Sequence, residues 1–246
     1  MSLLRVQGLT KSFTGLMALD EVSFEVAPGE VLAVIGPNGS GKTTLFNVIT
    51  GFLRPNAGRV TFGDRDITGR APHRICRLGL ARIFQLVKPF LELTVIQNVM
   101  VGRLYGRERA SGQKRARAEA MDVLGFVDLA DLADQAAHTL TTAQRKRLEL
   151  ARALATRPRM VLLDELMAGL TMTETEQAMD LVRRVRDRGV TVVMVEHVMR
   201  AVMAVSDRVV VLCVGQKIAD GPPAEVVRDP EVIAAYLGDE GVRGHA

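Results

Sequence analysis

The chain has 246 residues, 48% of them hydrophobic and 24% charged, enough for one sizeable core with a subdomain attached. No run approaches the ~18 apolar residues of a membrane span, and Met1-Ser2-Leu3-Leu4-Arg5 leads into no signal-peptide core. The expectation is a cytosolic protein unless a partner holds it at a membrane. The net charge of +4 is compatible with nucleic acid, anionic lipid or a nucleotide and selects none of them. Cys76 and Cys213 stand outside any C-x-x-C arrangement, which predicts two reduced, buried thiols rather than a disulfide framework or a zinc site.

In chain order, Leu3 to Gln7 reads as a short strand, and Val22, Phe24 and Val26 alternate with Ser23 and Glu25 as a half-buried strand should. Phe13 lies between them, either as a core residue or as an aromatic face for a nucleobase. Pro28-Gly29-Glu30 supplies a turn before the apolar run Val31 to Ile35. Gly36-Pro37-Asn38-Gly39-Ser40-Gly41-Lys42-Thr43-Thr44 follows, ahead of the helical pattern Leu45 to Ile49. The spacing G-x-x-x-x-G-K-T between a strand and a helix matches a phosphate-binding loop, in which successive backbone N–H groups face an anion. Gly36, Gly39 and Gly41 allow positive φ, Lys42 reaches the β- and γ-phosphates, and the Thr43 hydroxyl ligates Mg²⁺. Lys42 is expected to face solvent when no nucleotide is present.

Arg59 to Phe62 returns as a strand, Pro72 to Leu78 suits a short helix with proline in its first turn, and Ala81 to Phe84 is a strand delivering Gln85 to a loop. From Val87 to Gln135 the pattern turns helical, opened by a Thr94-x-x-Gln97 capping box. Arg103, Arg107, Arg109, Lys114, Arg115 and Arg117 crowd together there with Glu108 opposing them, as a solvated face or as a docking surface for an acidic partner or anionic lipid. Thr141 and Gln144 have capping-box spacing for a helix that Pro158 closes, and Met160 to Leu163 is an apolar strand ending in Asp164-Glu165. Adjacent carboxylates at a strand's C-terminal end suit a metal ligand and a water-positioning base, or else cap the next turn. Thr173 and Glu176 predict another capping box for a helix ending near Gly189. Val190 to Val195 is a buried strand ending at Glu196-His197, which places His197 level with Gly36 and Asp164 in a parallel sheet. Arg208 to Val214 adds a strand, with short helices at Pro222 to Arg228 and Glu231 to Leu237.

Together these features resemble the ATP-binding-cassette ATPases over nearly the whole chain. Gly36 to Thr44 is similar to their Walker A motif, Gln85 to the Q-loop, Met160 to Glu165 to Walker B with its catalytic glutamate, and His197 to the switch histidine. Phe13 falls where the adenine-stacking aromatic belongs. Gly36 to Gly51 and the ending Ala235-Tyr236-Leu237-Gly238 resemble, more narrowly, ATP-binding subunits of bacterial branched-chain amino-acid importers. The resemblance implies an α/β fold: a P-loop NTPase core from residues 1–86 and 136–246, a helical subdomain at 87–135, and an N-terminal antiparallel β subdomain, all in one domain.

The activity implied is MgATP hydrolysis. Thr43, Gln85 and Asp164 would surround the metal, Glu165 would polarise water, and His197 would contact the γ-phosphate. The signature loop reads Leu140-Thr141-Thr142-Ala143-Gln144, where the family has Leu-Ser-Gly-Gly-Gln; Thr141, Ala143 and Gln144 would meet the partner subunit's nucleotide. The D-loop reads Ala168-Gly169-Leu170-Thr171 where the family ends in Asp or Asn. The partners implied are a second ATPase subunit, in a homo- or heterodimer, permease subunits gripping the helical insertion near Gln85, and indirectly a periplasmic solute-binding protein. Nucleic acid is not among them, and the site of action would be the cytoplasmic face of the bacterial inner membrane. Two other readings share the chemistry: a lipid or lipopolysaccharide exporter motor, and a non-transport cassette ATPase acting on ribosomes or DNA.

Overall fold

A computed structural model describes residues 2–85 and 88–241, the side chains from 237 onward excepted. The expected first residue of the helical insertion, Val87, and the side chains of Leu237 and Gly238 in the tail motif lie outside the described residues. The chain forms two compact units, Met1–Pro72 with Thr191–Ala246, and His73–Val190.

The first unit opens with β1 (Leu4–Phe13) and β2 (Leu16–Val26), followed by β3 (Val31–Ile35), α1 (Lys42–Ile49), β4 (Ala57–Phe62) and β5 (Arg65–Asp66). The strands β2-β1-β4-β5 form an antiparallel sheet in that order, the expected N-terminal β subdomain. Its alternation is the cause: Val22, Phe24 and Val26 are buried while the residues between them are exposed. β1 is longer than its sequence pattern suggests because Thr14 and Gly15, at φ 42° and 91°, close a two-residue hairpin that pairs Phe13 with Leu16. Phe13 therefore ends a strand and is 40% exposed, not a core residue.

The second unit holds α2 (Pro72–Leu78), β6 (Leu80–Ile83), α3 (Val95–Tyr105), α4 (Gln113–Phe126), α5 (Thr142–Ala155), β7 (Met160–Asp164) and α6 (Met172–Asp187). β6 and β7 are parallel, from Leu80 opposite Met160 to Ile83 opposite Leu163. Three helices start on threonine capping boxes, each capping side chain satisfying N–H groups that a helix start leaves unpaired: Thr94 with Gln97, Thr141 with Gln144 and Thr171 with Glu174. The third lies two residues before the expected Thr173–Glu176 box. Both T-x-x-E frames exist in Thr171 to Glu176; the helix uses the first and buries Thr175, Met179, Val182 and Val185.

Of the basic run, Arg109, Lys114, Arg115 and Arg117 are exposed, as a solvated face should be, whereas Arg107 is half-buried and Arg103 is buried. Arg103 is 2% exposed, donating to Glu119 and to the carbonyl of Ala155. Glu119 also takes Arg115 and Arg157, Glu108 takes Arg107 and Arg157, and Asp134 takes Arg117. Glu108 beside Arg107 and Glu119 four residues from Arg115 are local counter-charges, whereas Asp134 comes from farther along the chain.

The chain then returns to the first unit with β8 (Thr191–Val195), α7 (Met199–Val205), β9 (Arg208–Cys213), β10 (Gln216–Gly221), α8 (Pro223–Val226) and α9 (Pro230–Gly241). β3 lies between β8 and β9, parallel to both, with β10 antiparallel at the edge. Every residue of β3 and β8 is buried, the reason both read as continuous apolar runs. β10 and α7 carry no such signal and are absent from the sequence reading. Cys76 and Cys213 are free thiols, half-buried rather than buried. Among the described residues no helix is long and apolar enough to cross a membrane.

Candidate functional site

In the first unit the loop from Gly36 to Lys42 connects the buried end of β3 to α1. Gly36 sits at φ 149° and a Cβ there would lie 2.0 Å from the Leu212 carbonyl oxygen; Gly41 sits at φ 104°, where a Cβ would lie 2.4 Å from the Ala18 carbonyl oxygen. Only glycine tolerates both the dihedrals and the approach of β9 and β2. The Gly215 N–H in the β9–β10 turn donates to the Ser40 carbonyl at 3.1 Å, framing the loop from a third side. Asn38 and Gly39 are exposed, nothing lies within 4 Å of a Cβ at Gly39, and Thr43 is exposed at the first turn of α1. That turn carries no acidic residue, so the N-terminus of α1 is electrostatically suited to an anion.

Lys42 corrects an expectation: it does not face solvent. Only 6% exposed, its Nζ donates to the carbonyl oxygens of Gly36 at 2.7 Å and Pro37 at 2.8 Å, and to Ser40 Oγ at 3.2 Å. An ammonium has three donors, and the loop itself presents three acceptors to them. Tyr236 on α9 supplies a contact to the loop that the sequence did not suggest. Burial raises its phenol pKa, outweighing the opposing influence of the Gly36 backbone. β8 and β3 run in register from Val31 opposite Val192 to Val34 opposite Val195, and the same offset carries the exposed His197 level with Gly36. Phe13, with Lys11 Nζ 5.0 Å above its ring, lies at the turn of the β1–β2 hairpin, whose Ala18 carbonyl abuts Gly41.

In the second unit Asp164 closes β7, 4% exposed, and Glu165 follows at φ 54°, a left-handed conformation that a non-glycine residue holds at a cost. Gln85 Nε2 donates to Glu165 Oε2 at 2.7 Å, and Arg82 Nη2 to Asp164 Oδ2 at 2.7 Å. Lys146, which the sequence reading passed over, is 8% exposed and donates from α5 to the carbonyls of Glu165 at 3.1 Å, Leu166 at 2.8 Å and Ala168 at 2.6 Å. The turn after Asp164 is thereby tied to the helix that Thr141 caps. Thr141 and Gln144 satisfy each other, the Thr141 hydroxyl accepting from Gln144 N–H at 3.3 Å and the Gln144 amide oxygen from Thr141 N–H at 2.9 Å. Ala143 lines a small cavity with Lys146, Leu150, Leu166 and Leu170. The Thr171 hydroxyl is engaged with Glu174.

Among the described residues no cluster of three or more His, Cys, Asp or Glu could hold a metal alone. In the second unit the expected donors Gln85 and Asp164 are both oxygen ligands with a single carboxylate between them, a chemistry that suits Mg²⁺, which keeps waters and takes phosphate oxygens rather than an all-protein cage.

A buried strand, a glycine loop locked by its own backbone and a helix opening on Lys-Thr define a P-loop NTPase. The chain belongs to the ABC transporter family, which matches residues 19–168. Residues 216–242 also match the branched-chain amino acid ATP-binding cassette transporter family. Among its relatives is the high-affinity branched-chain amino acid transport ATP-binding protein BraF of Pseudomonas aeruginosa, 40% identical over 96% of this chain and 98% of that protein. LivG of Escherichia coli, of the same description, is 38% identical over the same shares of the two chains. Two crystal structures of ABC transporter ATP-binding cassettes are also similar, each 35% identical. The nucleotide-free one has a TM-score of 0.88, covering 96% of this chain and 99% of that one; the ADP conformation has a TM-score of 0.89, covering 97% and 99%. The protein is thus an ABC ATPase, homologous to branched-chain amino acid transport ATP-binding proteins.

Proposed function

We propose that this chain hydrolyses MgATP to power uptake of branched-chain or related amino acids through separate permease subunits. It would act as a peripheral subunit at the cytoplasmic face of a bacterial inner membrane, paired with a second cassette and served by a periplasmic solute-binding protein. Phe13 stacks the base, and the backbone of Gly36, Pro37, Asn38, Gly39, Ser40 and Gly41 cradles the phosphates with Thr44 behind them. Lys42 exchanges its loop carbonyls for phosphate oxygens. Thr43, Gln85 and Asp164 would hold Mg²⁺, which when bound neutralises charge developing on the β- and γ-phosphates. Glu165 orients and polarises the attacking water, and His197 contacts the γ-phosphate. Thr141, Ala143 and Gln144 present a helix N-terminus to the nucleotide of the partner subunit. Phosphoryl transfer needs positioning and charge stabilisation more than covalent help, which suits these groups.

The observation that carries the catalytic part is the Gln85–Glu165 hydrogen bond of 2.7 Å beside Asp164, since it fixes a carboxylate at the end of β7 whose backbone is held in the left-handed region. The solute class is supported by the match over residues 216–242 and by the names of the relatives. The test is to purify the chain with the membrane subunits it retains, reconstitute them in vesicles and follow ATP-dependent leucine accumulation with the matching binding protein. Accumulation that ceases with Glu165→Gln supports the proposal. ATP hydrolysis coupled to lipid extraction, with no leucine movement, defeats it.

A further inference from the structure

Arg82 is a cation buried against the acidic pair, and no step of the proposed reaction employs it. It faces Leu162 across the β6–β7 register, and its guanidinium reaches past it to Asp164 at the end of β7. Both side chains are 5% exposed, and the Phe84 ring lies 4.6 Å from the guanidinium carbon. The adjacent Glu165 receives the side-chain amide of Gln85. Two neighbouring carboxylates at a strand end attract divalent cations; here the Asp164 charge is already matched by a group that stays protonated at any physiological pH. The guanidinium makes this bond through Oδ2 of Asp164.

We propose that Arg82 is a positioning residue that holds Asp164 by one oxygen and offsets its charge, so that the site takes up a divalent metal with a nucleotide and not the bare ion. This rests on the MgATP reading of Asp164. At a separation of about 5 Å and an effective dielectric constant of about 20–40, a fixed positive charge weakens binding of a cation by at least tenfold. A polyphosphate arriving with the metal carries enough negative charge to overcome that.

The probe is Mn²⁺ alone, titrated into the full-length protein without nucleotide and followed by the loss of its free electron-spin-resonance signal. Arg82→Met is expected to bind one Mn²⁺ at least tenfold tighter than the unmodified protein. Arg82→Lys, which keeps the charge, should bind it as weakly as the unmodified protein. Adding Asp164→Asn to Arg82→Met should abolish the gain. Arg82→Gln retains a donor to Asp164 without the charge, and should show the same gain if the methionine variant fails to fold. The proposal is overturned if the neutral variants bind Mn²⁺ no more tightly than the unmodified protein, or if the tightened site survives Asp164→Asn. Calorimetry of MgATP with the unmodified protein separates the two levels: no binding there sinks the nucleotide reading itself, whereas normal binding with unchanged Mn²⁺ affinities sinks only the role of Arg82.

Discussion

The phosphate loop of the first unit and the carboxylate turn of the second are stabilised by different parts of the chain. Around Gly36 and Gly41 the backbone does the holding: carbonyls of Leu212 and Ala18 occupy the space where side chains would begin, and Lys42 folds back onto the loop's own acceptors. At Asp164 and Glu165 the holding is done by side chains delivered from elsewhere, Arg82 and Gln85 from β6 and its following loop, and Lys146 from α5. A backbone-held loop depends on residue identity at fixed spacing and fails abruptly on substitution. A side-chain-held turn can be altered one contact at a time, and its failures should be graded.

The largest expected effect separates chemistry from binding. Glu165→Gln should retain ATP binding and lower turnover by about 10²–10⁴-fold, the loss typical of a general base. Turnover near that of the unmodified protein, measured in a steady-state phosphate-release assay with the permease present, would remove Glu165 from that role. Lys42→Ala tests the loop. Nucleotide binding should vanish in calorimetry, and because the ammonium is buried on three acceptors the melting temperature should fall as well, by the equivalent of about 1–3 kcal/mol. An unchanged melting temperature would show that Lys42 is not committed to the loop in solution.

Ala143→Asp should weaken ATP-dependent dimerisation by tenfold or more in the Glu165→Gln background, since a carboxylate would meet a phosphate in a poorly hydrated interface. Ala143→Gly should be nearly neutral. Equal dimerisation of the aspartate variant and its parent, by analytical ultracentrifugation, would mean that the loop from Leu140 to Gln144 does not meet the partner's nucleotide.

Graded failure is tested by Lys146→Met, expected to lower turnover several-fold while ATP affinity stays within about twofold, with Lys146→Arg restoring most of the rate. Equal effects of the two variants on rate and on affinity would contradict a role confined to the turn that carries Glu165. The smallest effect is on acid stability. Hydrogen bonds from Arg157 and Arg107 to Glu108, and from Arg115 and Arg103 to Glu119, hold both carboxyl groups below their ordinary 4.5. Their contribution is complete above that value and is lost as the pH falls through the lower folded values. Thermal melts from pH 6 downward should therefore show destabilisation beginning below about pH 4.5, shallower in Glu119→Gln. Identical acid profiles would indicate that these pairs stay screened by solvent.

What the sequence determined by itself is whatever is encoded within a few residues. The phosphate loop between an apolar strand and a helix, the boxes at Thr94 and Thr141 and the strand ending in Asp164-Glu165 all follow from spacing. Backbone periodicity and capping act over no more than four positions, so local order suffices. The tertiary structure decided the rest. It selected Thr171 over Thr173 as the start of α6, a choice that two overlapping T-x-x-E frames leave open. It turned most of the basic run into ion pairs with Glu108, Glu119 and Asp134, the last 17 residues from Arg117. It placed Lys42 inside its own loop, and it brought Arg82 to Asp164 across 82 residues of chain and Lys146 to Ala168 across 22. A charged side chain reports its type in the sequence but not its partner, because the energy of the pair depends on distance and burial, which only the folded chain sets.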